Sequence, residues 1–313
     1  MTQSATFGQL FEILEKIPGL QRKDWERNQS GADRGLESVL IQRTTREVAT
    51  YALVQLRLVA MQELLANDDP IPDETQTAEL LSWARSQGPG GSMMMKVVTN
   101  TTDPSDRRRI GALAVLRYYH NREDDNPVVK RPWTNEGMNK LTTLDVSSLL
   151  VYPTPGDFWR KKFETIQRLV DTVLRMNLPN LSDDQVLWDL RSIKGVGPQT
   201  ASMVALFWLA RPTPIIDGYL TRLLVNHGLV PGTLDSSFAQ DDLRRQLILG
   251  AQEMAVSRPD WPAHRSLSAL YLWACEVGRL HCTCAKSPSP NCPVRRLLNH
   301  ISGRVASIQD IRQ

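Results

Sequence analysis

Apolar positions along this chain recur mostly at helical spacing. They do so in "FGQLFEILEKI" (7–17), "ESVLIQRTTREVATYALVQLRLVAMQELLA" (37–66), "FWRKKFETIQRLVDTVLRM" (158–176), "DQVLWDLRSI" (184–193), "TASMVALFWLA" (200–210) and "SLSALYLWACEVGRL" (266–280). Such spacing lines one face of a 3.6-residue repeat, so each stretch predicts a helix with a buried side. The second is long enough for two helices or one long one. Ser182, followed by two aspartates, is a candidate N-cap with acids in the first turn. Period-two alternation is scarce, and the best strand candidate, "MMMKVVT" (93–99), is short. The fold class that follows is all-α.

Residues 66–140 interrupt this succession. "NDDPIPDETQT", "SQGPGGSMMMK", "NTTDPSDRRR" and "REDDNPVVKRPW" are rich in turn residues and mixed charge, with one helix, "RRRIGALAVLRYYH", among them. The segment is expected to be an insertion. No internal repeat or extended low-complexity tract is present.

The chain has 313 residues, enough for one large domain or two modest ones. Apolar residues make up 41% and charged ones 23%, ordinary for a soluble globular protein. A net charge of +3 permits nucleic-acid binding without arguing for it. The N-terminus lacks a basic stretch followed by an apolar one, and no window approaches about 18 uninterrupted apolar residues. The expectation is a soluble, intracellular protein, cytoplasmic or nucleoid-associated, with no membrane partner. All four cysteines fall between 275 and 292. Such clustering reads as a metal or iron–sulfur site rather than a set of staples.

One short stretch, "IKGVGPQTASMVALF" (193–207), carries a Gly-x-Gly turn straight into a small-residue helix. Glycine permits positive φ and close backbone approach, and a helix start offers free N–H groups. Together these can bind a phosphate without side-chain charge. The same residues also suit a plain pair of packed helices.

With its flanks, the stretch resembles a known family. "LRSIKGVGPQTASMVALF" followed by "PTPIIDGYLTRLL" is similar to the helix-hairpin-helix plus Gly/Pro-Asp motif of the endonuclease III superfamily of DNA glycosylases. Asp217 stands eighteen positions after Gln199, as the family pattern requires. "LESVLIQRTTREVA" resembles the family's early helix with its Gln-containing turn. "VYPTPGDFWRKKFETIQRLV" resembles a turn and aromatic-x-x-Lys helix, and "EVGRLHC" the helix into the cluster loop. The likeness covers roughly 36–65 and 141–300.

The resemblance implies base excision. As a base leaves, its deoxyribose becomes oxocarbenium-like, and a carboxylate beside C1′ stabilises that charge and orients water. The target base is first flipped out of the stack. Asp217 is placed in the carboxylate role; from the residues alone it also reads as an N-cap. Gln199 occupies the position where strand-cutting relatives carry a lysine, whose amine attacks C1′. An amide is not nucleophilic, so a monofunctional enzyme is expected. Otherwise Gln199 is only a surface polar residue. Gly195, Val196, Gly197, Gln199 and Thr200, with Lys194 before them, form the implied DNA grip.

Gln42 and Arg43 match the family's wedge, which fills the gap left by the flipped base. A helix face with Arg43 on phosphate is the bland alternative. Where adenine-mismatch enzymes have a glutamate this chain has Ser38, with Glu37 one residue off, which counts against that substrate.

The family's cluster loop is Cys-x6-Cys-x2-Cys-x5-Cys around [4Fe–4S]. Here the spacing is Cys275-x6-Cys282-x1-Cys284-x7-Cys292. In register, Cys282 and Cys292 land on the first and third ligands, and Ser289 and Leu298 on the others. Either the four cysteines hold a cluster in an altered loop, with zinc a lesser option, or the cluster has been lost.

Basic runs at Arg160–Lys162, Arg107–Arg109 and Arg295–Arg296 could track phosphates or be solvated faces. The implied architecture is two-lobed: a helical barrel over 36–230 carrying the hairpin and the insertion, and a second lobe from 1–35 plus 231–313 with the cysteine loop. Double-stranded DNA would be the partner of a monomer, lying in the cleft with Asp217 at its mouth. Two alternatives stand: a bifunctional glycosylase/lyase using another amine, and a non-catalytic hairpin protein that only binds DNA.

Overall fold

Every regular element among the described residues is a helix. The computed structural model describes residues 5–17, 31–44, 46–61, 72–100, 107–120, 133–144, 157–227, 230, 237–281 and 291–295. No described helix is long and apolar enough to cross a membrane. The chain divides into two compact units: Arg27–Val204, and Met1–Glu26 with Ala205–Gln313.

In the unit Arg27–Val204 the helices are α2 (Gly31–Leu40), α3 (Arg46–Met61), α4 (Glu74–Ser86), α5 (Gly88–Thr99), α6 (Arg107–His120), α7 (Asn135–Thr143), α8 (Asp157–Arg175), α9 (Asp183–Ser192) and α10 (Pro198–Met203). α3 packs on α2, α5 and α7, and α8 on α2, α7 and α9. α8 shows why the pattern works. Trp159, Phe163, Ile166, Leu169, Val170 and Val173 are buried along one stripe, while Arg160, Lys161 and Arg168 sit on other faces. Asp33 and Arg57, both buried, form a two-pronged ion pair at 2.8 and 2.6 Å. The Trp133 indole N–H donates to the same carboxylate at 2.8 Å, and its ring lies 5.1 Å under the Arg57 guanidinium.

The segment 66–140 differs from its sequence-based expectation. Four helices, α4 to α7, start within it rather than one. "DETQT" opens α4: Asp73 accepts from the Gln76 N–H while Gln76 reaches back to the Asp73 N–H, a reciprocal cap. The strand candidate "MMMKVVT" is the body of α5. Met93, Met94 and Val98 are buried on one helical face. A Cβ on Gly91 would come within 2.1 Å of the Ala84 carbonyl, so α4 and α5 meet where only glycine fits. The segment thus has its own core, including Leu80, Ala84, Met94, Ala112, Leu113 and Leu116.

The other unit holds α1 (Ala5–Glu15), a π-type turn (Val204–Trp208, from Ala205 on), α11 (Gly218–Asn226), α12 (Ser237–Ser257) and α13 (Ala263–His281). α1 lies against α12 and α13, and α13 against α11. Phe7, Leu10, Phe11, Ile13 and Leu14 of α1 are almost fully buried. Phe11 meets Trp261 and Trp273 at ring separations of 5.2 and 5.1 Å. A Cβ on Gly250 would strike Phe7 at 2.3 Å, which lets α12 approach α1 closely.

Candidate active site

In the unit Arg27–Val204, α9 and α10 are joined by a tight turn. Ser182 caps α9 by accepting from the Gln185 N–H, as the sequence predicts. The Val196 N–H donates to the Ile193 carbonyl at 3.0 Å, and Gly195 takes φ +99°. A Cβ on Gly195 would lie 2.4 Å from Thr165 Oγ1. Conformation and packing therefore both require glycine there. Gly197 is different: it is the N-cap of α10 with Pro198 following, and a Cβ would meet nothing within 4 Å. Lys194, Gly195, Gly197 and Gln199 are exposed, whereas the Val196 and Thr200 side chains are buried.

Gln42 joins this hairpin. Its Nε2 donates to the Gly195 carbonyl at 3.3 Å and to Thr200 Oγ1 at 3.0 Å. Arg43 beside it is exposed at φ 55°, an uncommon conformation for a non-glycine residue. The turn is closed by Thr44 N–H donating to the Ile41 carbonyl at 3.0 Å. Lys162, one of the basic run on α8, is buried rather than facing solvent. Its amine donates to the Leu40 carbonyl at the end of α2, where a cation is favoured, and lies 4.7 Å over the Trp159 ring. Burial holds that amine down to about 8. Arg160 pairs instead with Glu164 at 2.8 Å. Glu37 and Ser38 are both buried, with the Ser38 hydroxyl on the Gly35 carbonyl at 2.6 Å.

In the other unit, Asp217 is the N-cap of α11. Its Oδ1 accepts from the Tyr219 and Leu220 N–H groups at 2.9 Å each. Its Oδ2 accepts from the Tyr271 hydroxyl at 3.0 Å and from Cys275 Sγ at 3.9 Å. Asp217 is half-buried and Tyr271 buried. Burial first, then the neighbouring Cys275 and Asp217 groups, push the Tyr271 hydroxyl well above the ordinary phenol range, so it stays a donor. The chain arrives through a left-handed Ala210 (φ 52°), with the Arg211 N–H on the Ala205 carbonyl at 2.8 Å. The cap uses one carboxylate oxygen, and the other is held by side chains of α13.

Tyr271 was not singled out by sequence reasoning. Its one local signal is position: Tyr271 and Cys275 are i and i+4, on one face of α13.

Cys275 and Cys292 make separate contacts. Cys275 lies in the body of α13 with its sulfur 3.9 Å from Asp217 Oδ2. Cys292 is fully buried, with its sulfur 3.4 Å from His227 Nε2. Cys282 and Cys284 lie outside the described residues. Among the described residues no group of three or more His, Cys, Asp or Glu side chains could hold a metal ion. Arg109 is half-buried and Arg295 exposed, while the Arg107, Arg108 and Arg296 side chains lie outside the described set.

No protein-family model matches the chain. A curated protein of Bacillus subtilis (strain 168) named "Putative DNA-3-methyladenine glycosylase YfjP" is 27% identical over 113 residues. That match spans 35% of this chain and 34% of the relative's length.

Proposed function

We propose that this chain is a monofunctional DNA N-glycosylase with the two-lobed helix-hairpin-helix fold, acting as a monomer on double-stranded DNA. The observation that carries the reading is the carboxylate of Asp217. One oxygen is anchored on the start of α11 and the other is set by side chains rather than by the helix. In the reaction the C1′–N bond breaks and its electron pair leaves with the base. Asp217 stabilises the cationic sugar; water then adds its oxygen to C1′ and passes its proton to the Asp217 carboxylate. The hairpin supports the same reading. Its exposed glycines and the open space at Gly197 leave room for a phosphate beside the start of α10. Gln42, tied to Gly195 and Thr200, sets Arg43 at the tip of its turn, where a wedge would stand.

Gln199 is exposed at the second position of α10 and offers no nucleophilic amine. Lys162 is held on the Leu40 carbonyl inside its unit. In this reading water is the nucleophile, and the product is an abasic site in an uncut strand. Borohydride added during turnover should trap no covalent adduct, and an adduct would replace this reading with the lyase one.

The relative's name makes 3-methyladenine the first lesion to test. The experiment is base release under single-turnover conditions from a panel of lesion and mismatch duplexes. Wild type should release one class of base. Asp217→Asn should be slower by on the order of 10²–10³-fold, with folding kept because asparagine is also a good N-cap. Binding without release from every duplex would favour a non-catalytic DNA-binding role. A [4Fe–4S] cluster at the cysteine loop is a separate proposal resting on the clustered cysteines. Iron and sulfide content, with visible absorbance, tests it, and an iron-free active protein removes it.

A further inference from the structure

We propose that Tyr271, with Cys275 one turn further along α13, is the positioning residue that fixes the reactive oxygen of Asp217. The inference rests on the glycosylase reading above and deepens its site. Tyr271, Cys275 and Gly278 follow one another at i, i+4 and i+7, so they line one face of α13. That face meets α11. A Cβ on Gly278 would lie 3.1 Å from Tyr219 Cδ1, so the glycine allows the two helices to come close. The close approach brings the Tyr271 hydroxyl to 3.0 Å from Asp217 Oδ2.

The two carboxylate oxygens are then unequal. Oδ1 accepts two backbone N–H groups of α11 and belongs to the cap. Oδ2 accepts one strong side-chain donor and, at 3.9 Å, the weaker thiol of Cys275. Donors on both oxygens stop the carboxylate from rotating about its last torsion. Each carboxylate oxygen can accept more than one hydrogen bond, so Oδ2 can hold Tyr271 and still face a sugar or a water. Fixing such a group before substrate arrives avoids reorganisation during the reaction, which is the main source of electrostatic catalysis. The Tyr271 ring is held independently of its hydroxyl: it is buried and lies 6.1 Å from the Phe207 ring. Removing only the oxygen should therefore leave the packing in place. The same geometry sets the Cys275 sulfur beside Asp217 Oδ2.

The test compares wild type, Tyr271→Phe, Cys275→Ala and Asp217→Asn on the duplex that wild type processes. Turnover, KM, affinity for uncleaved duplex and thermal midpoint are all measured. Tyr271→Phe should lower kcat by about 10- to 100-fold, the effect of one hydrogen bond to a charged group. KM, duplex affinity and thermal midpoint should stay near wild type. Cys275→Ala should lower kcat by less than about 10-fold, as suits a weaker thiol donor, and keep the wild-type iron and sulfide content. A wild-type kcat in Tyr271→Phe overturns the inference alone. So does a loss explained wholly by weaker binding or unfolding. Metal lost with Cys275→Ala returns that residue to a ligand set and overturns its assignment. A wild type that releases no base from any duplex overturns the glycosylase reading and this inference with it.

Discussion

Gly195 and Gly197 are two residues apart, yet their backbones ask for different things. Gly195 sits at φ +99° with Thr165 against its missing side chain. Gly195→Ala should cost about 1–3 kcal/mol of folding free energy, from backbone strain and overpacking, read as a lower denaturant midpoint. Gly197 has an extended backbone and open space around it, so Gly197→Ala should leave the midpoint close to wild type. If the open space receives a phosphate, the added methyl should weaken duplex binding. Unchanged affinity would remove Gly197 from the DNA grip. Lys162 gives a pH test. Its folded value of about 8 lies below the ordinary lysine value of 10.5, so between the two the unfolded chain binds more protons. The group opposes folding below that window, and its contribution improves as pH rises through it. Stability of wild type relative to Lys162→Met should therefore increase from about pH 8 to about pH 10, followed by chemical denaturation at each pH.

At the scale of elements, the predicted helices depended on local periodicity, and the strongly amphipathic stretches folded as read. α8 has a one-sided apolar stripe and α1 a nearly continuous buried face. The segment 66–140 was harder to read. Its helices begin in turn-rich sequence, because caps such as Asp73 and Thr134 are themselves turn residues. Methionine and valine at 93–99 satisfy either period over so short a run, and packing against α3, α4 and α6 decided for helix. The Asp33–Arg57–Trp133 cluster ties the chain just before α7 to α2 and α3. Breaking a buried pair leaves an uncompensated charge, so Arg57→Met should cost about 3–5 kcal/mol. A double substitution that also removes the charge of Asp33 should recover part of that loss. Thermal denaturation of the single and double variants measures the difference.

For the whole molecule, chain order and spatial unit do not coincide. The unit holding Asp217 is assembled from both ends of the sequence, Met1–Glu26 and Ala205–Gln313. Its α1 core faces residues more than two hundred positions away, including Trp261 and Trp273. At this scale the functional prediction concerns product and salt. Base release should leave an abasic site that alkali cleaves and the protein does not, visible on a denaturing gel with and without alkali. Duplex affinity should fall as salt rises, because phosphate contacts release counterions. A salt-independent affinity would argue against a backbone grip.

The sequence by itself determined the helical class, the hairpin with its two glycines, the N-caps at Ser182 and Asp217, and the lack of an amine at Gln199. These are set by neighbours within a few residues, where backbone conformation and periodicity act directly. Only the tertiary structure decided the partners. Gln42 meets Thr200 across 158 positions, Lys162 meets Leu40 across 122, and Tyr271 meets Asp217 across 54. No local pattern encodes such pairs, because they arise from which helix faces pack together. For the same reason no local pattern shows that Cys275 lies beside Asp217, 58 positions earlier in the chain.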